Sequence, residues 1–373
     1  MKYFKEHKKF CICYSILIII SIISIIFTYH NHSFYKDTIA KITNIKEEYV
    51  TTELSDYGYK EDVYNQNITA VIKNGKYKNK VITIENQYYS GQIYSEKYHK
   101  NDELFVSLET NKDKIRNIHI EDYKRDKYIV ILLVSFILII VLVGQLKGFL
   151  SIISLIINII VFNTMVYLNA KDLSLPLLSF IGTIIFSSIC LILVSGKNKK
   201  TLSAIISSIT GVSITMLISL LVIHITKYSG IRFENMELLT RPYEGIFISE
   251  IILGGLGAIM DISISISSSL NELLEKDPKI SSKQLIKSGF NIGKDIMGTM
   301  INVLFFTYIC SVIPNLCILF RNGINLSSLI YSYITLEMTR ALIGAIGITI
   351  TIPISIYITV LMYKRRIHKW LNY

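Results

Sequence analysis

The chain has 373 residues, of which 51% are hydrophobic and 18% are charged, and its formal net charge is +11. With a mean hydropathy of +0.45, this composition excludes an ordinary soluble domain and a disordered chain, and it is typical of a polytopic membrane protein. The positive charge then indicates membrane topology, and no nucleic-acid partner is expected.

Eight apolar stretches approach the ~20 residues that a helix needs to cross a bilayer. They are Phe10–Tyr29, Tyr128–Val143, Phe149–Leu168, Leu175–Val194, Leu202–Ile225, Gly245–Leu270, Asp295–Ile318 and Leu329–Tyr363. The first, within residues 1–29, is predicted to be an uncleaved anchor, because no small-residue cleavage site follows it. The other seven make a helical membrane domain over residues 128–373.

Charge orients these predicted spans, because Lys and Arg are retained on the cytoplasmic side. Residues 30–127 hold equal numbers of acidic and basic residues, whereas most other basic residues fall on one side of the spans. We therefore predict a plasma-membrane protein with both termini in the cytoplasm and residues 30–127 outside it.

The exported segment, residues 30–127, is predicted to be a small β-barrel or sandwich of about five strands. Short alternations of β-branched and polar residues occur at Ile68–Ile72, Val81–Glu85, Leu104–Leu108 and Ile115–Ile120. The dipeptide Asn74-Gly75 indicates a turn after the first of these. Its many tyrosines, including Tyr88 and Tyr89, either form a contact face or pack in the core.

The five cysteines all lie in or beside predicted spans, so no disulfide framework is expected. Zinc-site spacing is also missing, and we predict neither a metal nor a cofactor. The motifs of metalloproteases, nucleotide hydrolases and serine hydrolases do not occur, and Asp295 lies too close to a predicted membrane surface to pair with Asp261 as an intramembrane aspartyl protease requires. The sequence therefore does not predict an enzyme.

The stretch from residue 245 to residue 272 is a predicted helix with one small or acidic face. That face has the spacing of three and four residues that aligns side chains along a helix, and it comprises Glu250, Gly254, Gly257, Asp261, Ser265, Ser268 and Glu272. Asp261 lies roughly 24 Å from the start of the stretch at 1.5 Å per residue. A carboxylate at that depth costs at least ~2.5 kcal/mol, so we expect it to face the bundle interior and to serve function.

The last two spans carry further polar positions. One face of the seventh holds Asp295, Gly298, Thr299 and Asn302. In the eighth, Glu337 and Arg340 are three residues apart and can pair. Glu250 and Arg340 are predicted to lie near the outer mouth, where gating, a structural ion pair and substrate contact remain alternatives. The small residues of these spans and one proline are expected to serve helix packing. They are Gly254, Gly257, Ser265, Ser268, Gly344, Gly347 and Pro353.

Residues 271–294 are predicted to form a cytoplasmic elbow between the sixth and seventh spans. Pro278 ends one helix, and Ser281 with Gln284 makes a capping box for the next. A short basic helix from Ser282 to Ser288 is expected to lie on the inner membrane surface.

Three stretches of the sequence carry a resemblance to a known family. They are GGLGAIMDISISISSSLNEL, KSGFNIGKDIMGTMINVL and EMTRALIGAIGITITIPIS. Together they resemble the YibE/F-like family of bacterial multipass membrane proteins. The resemblance extends to NGKYKNKVITIEN in the exported segment. It implies an integral membrane protein of a family often regarded as transporters.

A fainter similarity is to the permease superfamily of the protein-export accessory pair and the resistance-nodulation-division pumps. Those proteins also place essential aspartates in a span that a cytoplasmic elbow joins to the next. This similarity implies that Asp261 is a proton-relay carboxylate, with Asn302 and Thr299 as hydrogen-bond partners. We also assign Asp295, at the start of the seventh span, to the predicted relay.

Two functions are therefore carried forward from the sequence. The first is an ion- or proton-coupled permease that acts on a small molecule or an ion, with Asp261 as the coupling group. The second is a membrane scaffold that transports nothing and whose exported domain binds a protein partner.

Overall fold

The computed structural model describes residues 2–54, 60–91, 95–111, 114–226, 243–321 and 325–370. The chain divides into two compact units, Met1–Leu146 and Lys147–Tyr373. A five-stranded antiparallel sheet lies in the first unit, and most of the long helices lie in the second. The predicted combination of an apolar helical protein with an N-terminal β-domain is confirmed.

The first unit begins with helix α1 (Lys2–His30) and a short 3₁₀ turn. Five strands follow: β1 (Thr38–Leu54), β2 (Lys60–Ile72), β3 (Val81–Tyr89), β4 (Glu103–Asn111) and β5 (Lys114–Tyr123). Their order in the sheet is β3-β2-β1-β4-β5, with every neighbouring pair antiparallel. Each of the four predicted alternating segments lies within one of these strands.

The described strands form one sheet, and the choice between a barrel and a sandwich stays a prediction. Ile84 on β3 and Ile118 on β5, the two edge strands, pack on one apolar cluster with Ile68 and Leu104. Residues of both edge strands thus contribute to one core of the β-domain. Asn74 secures the predicted turn, because its side-chain oxygen accepts a hydrogen bond from the Ile39 amide at 2.7 Å, while Gly75 takes the positive φ of 72° that the turn needs.

A buried ion cluster ties the sheet to the helices of the first unit. Lys124, only 1% exposed, lies 3.1 Å from a Glu103 carboxylate oxygen and 3.0 Å from one of Asp126. It also donates a hydrogen bond to the Thr28 carbonyl at 3.1 Å. These contacts give the buried ammonium the partners that its desolvation demands.

Among the described residues, seven helices are long and apolar enough to cross a membrane. After α1 they are α2 (Asp126–Asn169), α3 (Leu175–Ser195), α4 (Lys199–Thr226), α5 (Tyr243–Lys276), α6 (Ser282–Arg321) and α8 (Thr335–Trp370). The second and third predicted spans both lie in the 44-residue α2, which is interrupted at Gln145, whose φ of 49° is not helical. At 1.5 Å per residue, the part of α2 before Gln145 is roughly 28 Å long and the part after it is roughly 36 Å long, so each is about as long as a bilayer's apolar thickness.

Two local predictions need correction, and a third is confirmed. Residues Ser282–Ser288 are not a separate surface helix but the first turns of the continuous α6. The start of the predicted eighth span is a short helix, α7 (Leu326–Leu329), followed by a π-helical turn before α8. The capping box is present, since the Gln284 amide donates to the Ser281 hydroxyl at 3.2 Å.

Three hydroxyl groups, one each from α4, α5 and α8, meet in the core of the second unit. The Thr359 hydroxyl lies 2.6 Å from that of Ser203 and 3.1 Å from that of Ser267. One turn away, Ser355 donates to Ser263 at 3.3 Å. All five side chains are 0% exposed. Such hydroxyl pairs join helices where apolar burial supplies little driving force, at roughly 0.6 kcal/mol each.

Glycines bring α4 and α8 close together at positions further from the hydroxyl groups. The side chain of Thr351 on α8 lies against Gly211 of α4, and that of Thr215 on α4 lies against Gly347 of α8. Together with the Ser203–Thr359 contact, these pairs advance by eight and then four residues on α4 and recede by eight and then four residues on α8. The two helices are therefore antiparallel, with one small residue at each turn of their contact.

Candidate functional site

The small and acidic face of α5 is the accessible stripe of that helix. Gly254, Gly257 and Asp261 are exposed, and Ser265 and Ser268 are half-buried. The rest of the helix packs into the core through large apolar side chains, among them Phe247, Ile251, Ile252, Ile259, Ile262 and Ile266. The pattern read from the sequence is thus a real surface of the fold, but the described helices do not enclose it.

Asp261 lies near the middle of this stripe with open space before it. Among the described residues its carboxylate has neither a hydrogen-bond nor an ion-pair partner. One turn earlier, apart from the adjacent residues and the backbone of α5 itself, no described heavy atom comes within 4 Å of the point where Gly257 would carry a Cβ. Helix α5 runs unbroken on both sides of Asp261, and the depth of this residue in a membrane stays a prediction.

The polar positions predicted on the neighbouring helix do not contact Asp261. Asp295, Thr299 and Asn302 all lie on the exposed face of α6. The Thr299 hydroxyl donates instead to the Ile296 carbonyl of its own helix, at 2.8 Å. The predicted hydrogen bonds from Thr299 and Asn302 to Asp261 are therefore absent from the described structure, because α6 turns its other face, with Met297 and Leu304, toward α8. A relay role for these residues stays a prediction.

The three charged residues of the predicted ion pairs do come together. Arg340 contacts Glu337 on its own helix and Glu250 on α5. The side chains of Arg340 and Glu337 are 7% and 10% exposed, whereas that of Glu250 is 42% exposed. The guanidinium also lies 5.3 Å from the centre of the Phe247 ring, within the range of a cation–π contact. Two carboxylates thus surround one cation.

Tyr308 of α6 covers the end of the stripe beside this ion cluster. Its hydroxyl donates to the Glu250 carbonyl at 3.3 Å, and its ring end lies against Gly254. The sequence offered no sign of this residue, because its role depends on α6 crossing α5 at a glycine. Tyr308 consequently contacts the stripe at Gly254, whereas no such contact occurs at Gly257.

The residues assigned to helix packing divide into two groups. Gly254, Gly344 and Gly347 each lie against a neighbouring side chain, Gly344 against Leu304 of α6. Gly257 touches nothing, and Pro353 lies within α8 without ending the helix. Gly289 and Gly293 were not predicted, yet they lie against α8 at Ile356 and Ile352 and bring α6 close to it.

The hydroxyl pairs of α4, α5 and α8 were also missed from the sequence. Their signal was present as the recurrence of Ser, Gly or Thr every four residues on α4 (Ser203, Ser207, Gly211, Thr215) and on α8 (Gly347, Thr351, Ser355, Thr359). Within the described parts of the chain, no three His, Cys, Asp or Glu side chains are grouped as a metal site needs.

Comparison with known proteins found no matching curated protein and no matching solved structure. Two family models match. One, described as YibE/F-like protein, covers residues 132–365, and the other, the YibE/F family N-terminal domain, covers residues 33–123. The two matches cover the helical part and the β-domain in turn. The chain therefore belongs to the YibE/F-like family.

Proposed function

We propose that the protein is an ion- or proton-coupled permease of the bacterial plasma membrane, in which Asp261 is the coupling carboxylate. In this proposal the two halves of α2 cross the membrane separately, giving eight crossings, both termini inside and the β-domain outside. The single observation that carries the proposal is an unpartnered aspartate on an accessible stripe in the middle of an apolar helix.

The physical argument starts from the cost of that carboxylate. Facing lipid, an ionised Asp261 costs at least ~2.5 kcal/mol, and no basic side chain among the described residues offsets the charge. The cost is avoided when the group binds a proton or a cation, or when water reaches it along the stripe. Gly257 leaves room for water or a small ion beside the carboxylate. A group that alternates between charged and neutral forms is what coupling requires.

The ion cluster at the start of α5 supplies the second part of the proposal. Glu250, Glu337 and Arg340 join α5 to α8, and Tyr308 adds α6 at the same place. Glu250 is the partly exposed member, so it is the one that an entering cation meets first. In the proposed orientation this cluster lies toward the outside and gates access to the stripe.

The test measures proton movement in sealed liposomes that contain the purified protein and a trapped pH-sensitive dye. Asp261→Asn removes the titrating group at nearly constant size, and Glu272→Gln removes a charge from the same stripe near the end of α5. We expect an imposed pH or Na⁺ gradient to drive flux in the native protein and in Glu272→Gln, and to drive none in Asp261→Asn.

Equal flux in Asp261→Asn and in the native protein would rule out Asp261 as the coupling group. Flux missing from every folded variant, under every gradient and candidate substrate supplied, would favour the scaffold hypothesis. Far-UV circular dichroism and gel filtration of each variant establish that it is folded.

A further inference from the structure

Strand β1 is much longer than its pairing on one side. It pairs with β2 along its length as far as Leu54, but with β4 only over Thr38–Lys41. Backbone hydrogen bonds to the neighbouring turn end at Ile42. Between residues 44 and 54, the edge of β1 that faces away from β2 receives no backbone hydrogen bond from any described residue. This segment is called the free edge below.

A free edge of this length is a template for another strand, because its outward amide and carbonyl groups have no backbone partner among the residues that the structure describes. It also exposes apolar side chains. Tyr49 is 58% exposed, Val50 is 47% exposed and Leu54 is 71% exposed. A partner strand would therefore satisfy backbone groups and cover apolar surface together.

A bulge between Tyr49 and Thr51 sets which side chains of the free edge share a face. Ile45 lies opposite Ile68 of β2, and Leu54 lies opposite Lys60. Ile68 and Lys60 are an even number of residues apart, so their side chains point to the same face of the sheet. Ile45 and Leu54 therefore share that face. By the same rule Lys46 and Glu53, opposite Asn67 and Glu61, share the other face. Without the bulge, each of these pairs would lie on opposite faces.

This arrangement makes the free edge complementary to itself. A two-fold axis between Tyr49 and Val50 sets Lys46 opposite the partner's Glu53 and Ile45 opposite the partner's Leu54. Glu48 then faces the partner's Thr51. Opposite charges and apolar side chains are thus matched, each pair occurs twice, and facing residues lie on the same side of the sheet.

Neighbouring registers do not match in this way. If the axis passes through Val50, Glu47 faces the partner's Glu53, which is a like-charge pair. If the axis passes through Tyr49, Ile45 faces the partner's Glu53. Either shift also places facing residues on opposite faces across the bulge. Within one chain Glu53 lies directly opposite Glu61, a like-charge pair that a second Lys46 would relieve.

We propose that two copies of this chain associate through antiparallel pairing of their free edges, which joins the two sheets into one. The interface is independent of transport, because none of its residues lies in the helical unit.

The test uses the full-length protein in nanodiscs or detergent, with charge reversal as the probe. Lys46→Glu and Glu53→Lys each place like charges opposite one another twice per dimer, and we expect each to weaken association about tenfold. The double variant restores opposite charges in the reversed sense and is expected to associate like the native protein. Association is read from energy transfer between labelled copies across a dilution series.

A cross-linking experiment fixes the register. Lys46→Cys combined with Glu53→Cys should give a disulfide-linked dimer, since these positions face each other in the proposed pairing. Lys46→Cys combined with Thr52→Cys is the matched control, because those side chains point to opposite faces; the parent protein reports any link through native cysteines.

A monomer at every concentration would overturn the proposal and leave the free edge to a different partner. A dimer that neither charge reversal weakens would assign the contact to another surface and would equally overturn it. Cross-linking of the control pair as efficiently as the facing pair would refute the register.

Discussion

The contact between Gly347 of α8 and Thr215 of α4 leads to a quantitative prediction. A Cβ at position 347 would lie 3.0 Å from the Thr215 Cγ2 and 3.1 Å from its Cβ, and closer still to its hydroxyl. Thr215 has little room to move, since it is 1% exposed and its hydroxyl donates to the Gly211 carbonyl at 2.9 Å. Overpacking of this kind costs ~1–3 kcal/mol.

Gly257 provides the matched control, because nothing lies within 4 Å of its added Cβ. Replacing a glycine inside a helix by alanine stabilises by roughly 0.5–1 kcal/mol in both variants. That gain cancels in the comparison. We therefore expect Gly347→Ala to be less stable than Gly257→Ala by the overpacking cost alone, about 1–3 kcal/mol.

The free energy of unfolding is measured by far-UV circular dichroism as sodium dodecyl sulfate is added to the protein in mild detergent micelles. Thr215→Ala in the Gly347→Ala background removes the two closest atoms and is expected to recover most of the loss. Equal stabilities of the Gly347 and Gly257 variants would refute the packing of α4 against α8 described above. So would a double variant no more stable than Gly347→Ala.

The same unfolding measurement checks three further predictions. Thr359→Val removes the hydroxyl that joins three helices and should cost ~0.6–1.7 kcal/mol, whereas Thr307→Val, whose exposed hydroxyl bonds only its own helix, should cost less; equal losses would contradict the role of the hydroxyl core. Arg340→Met leaves buried carboxylate without its cation and should cost ~3–5 kcal/mol, so a neutral result would refute the buried ion cluster. In the β-domain, the hydrogen bond from Lys97 holds the pKa of Glu47 below its ordinary value. The stabilising contribution of the ionised Glu47 is present at neutral pH and is lost as pH falls through the lowered pKa. Glu47→Gln should therefore make the free energy of unfolding fall less steeply at acid pH, and an unchanged slope would contradict this.

Local features of this protein were readable from the sequence, because their causes are local. Helix periodicity alone identified the stripe that includes Gly257 and Asp261, and a spacing of three residues identified the Glu337–Arg340 pair. The turn at Asn74 needs only a conformation that glycine adopts freely. Apolar length alone located the long apolar helices, although two of the eight predicted spans lie in α2.

The tertiary structure decided which faces meet, because contacts between helices depend on crossings that no single segment specifies. Asp261 was expected inside the bundle, yet it lies on the face that the described helices leave uncovered. Glu250 joins Arg340, and Tyr308 reaches Gly254, only because α5, α6 and α8 converge there. The hydroxyl core of Ser203, Ser267 and Thr359 likewise exists only where three helices bring one small residue each to the same level. The sequence by itself therefore determined which residues share a face, and the packing of the helices determined what each face meets.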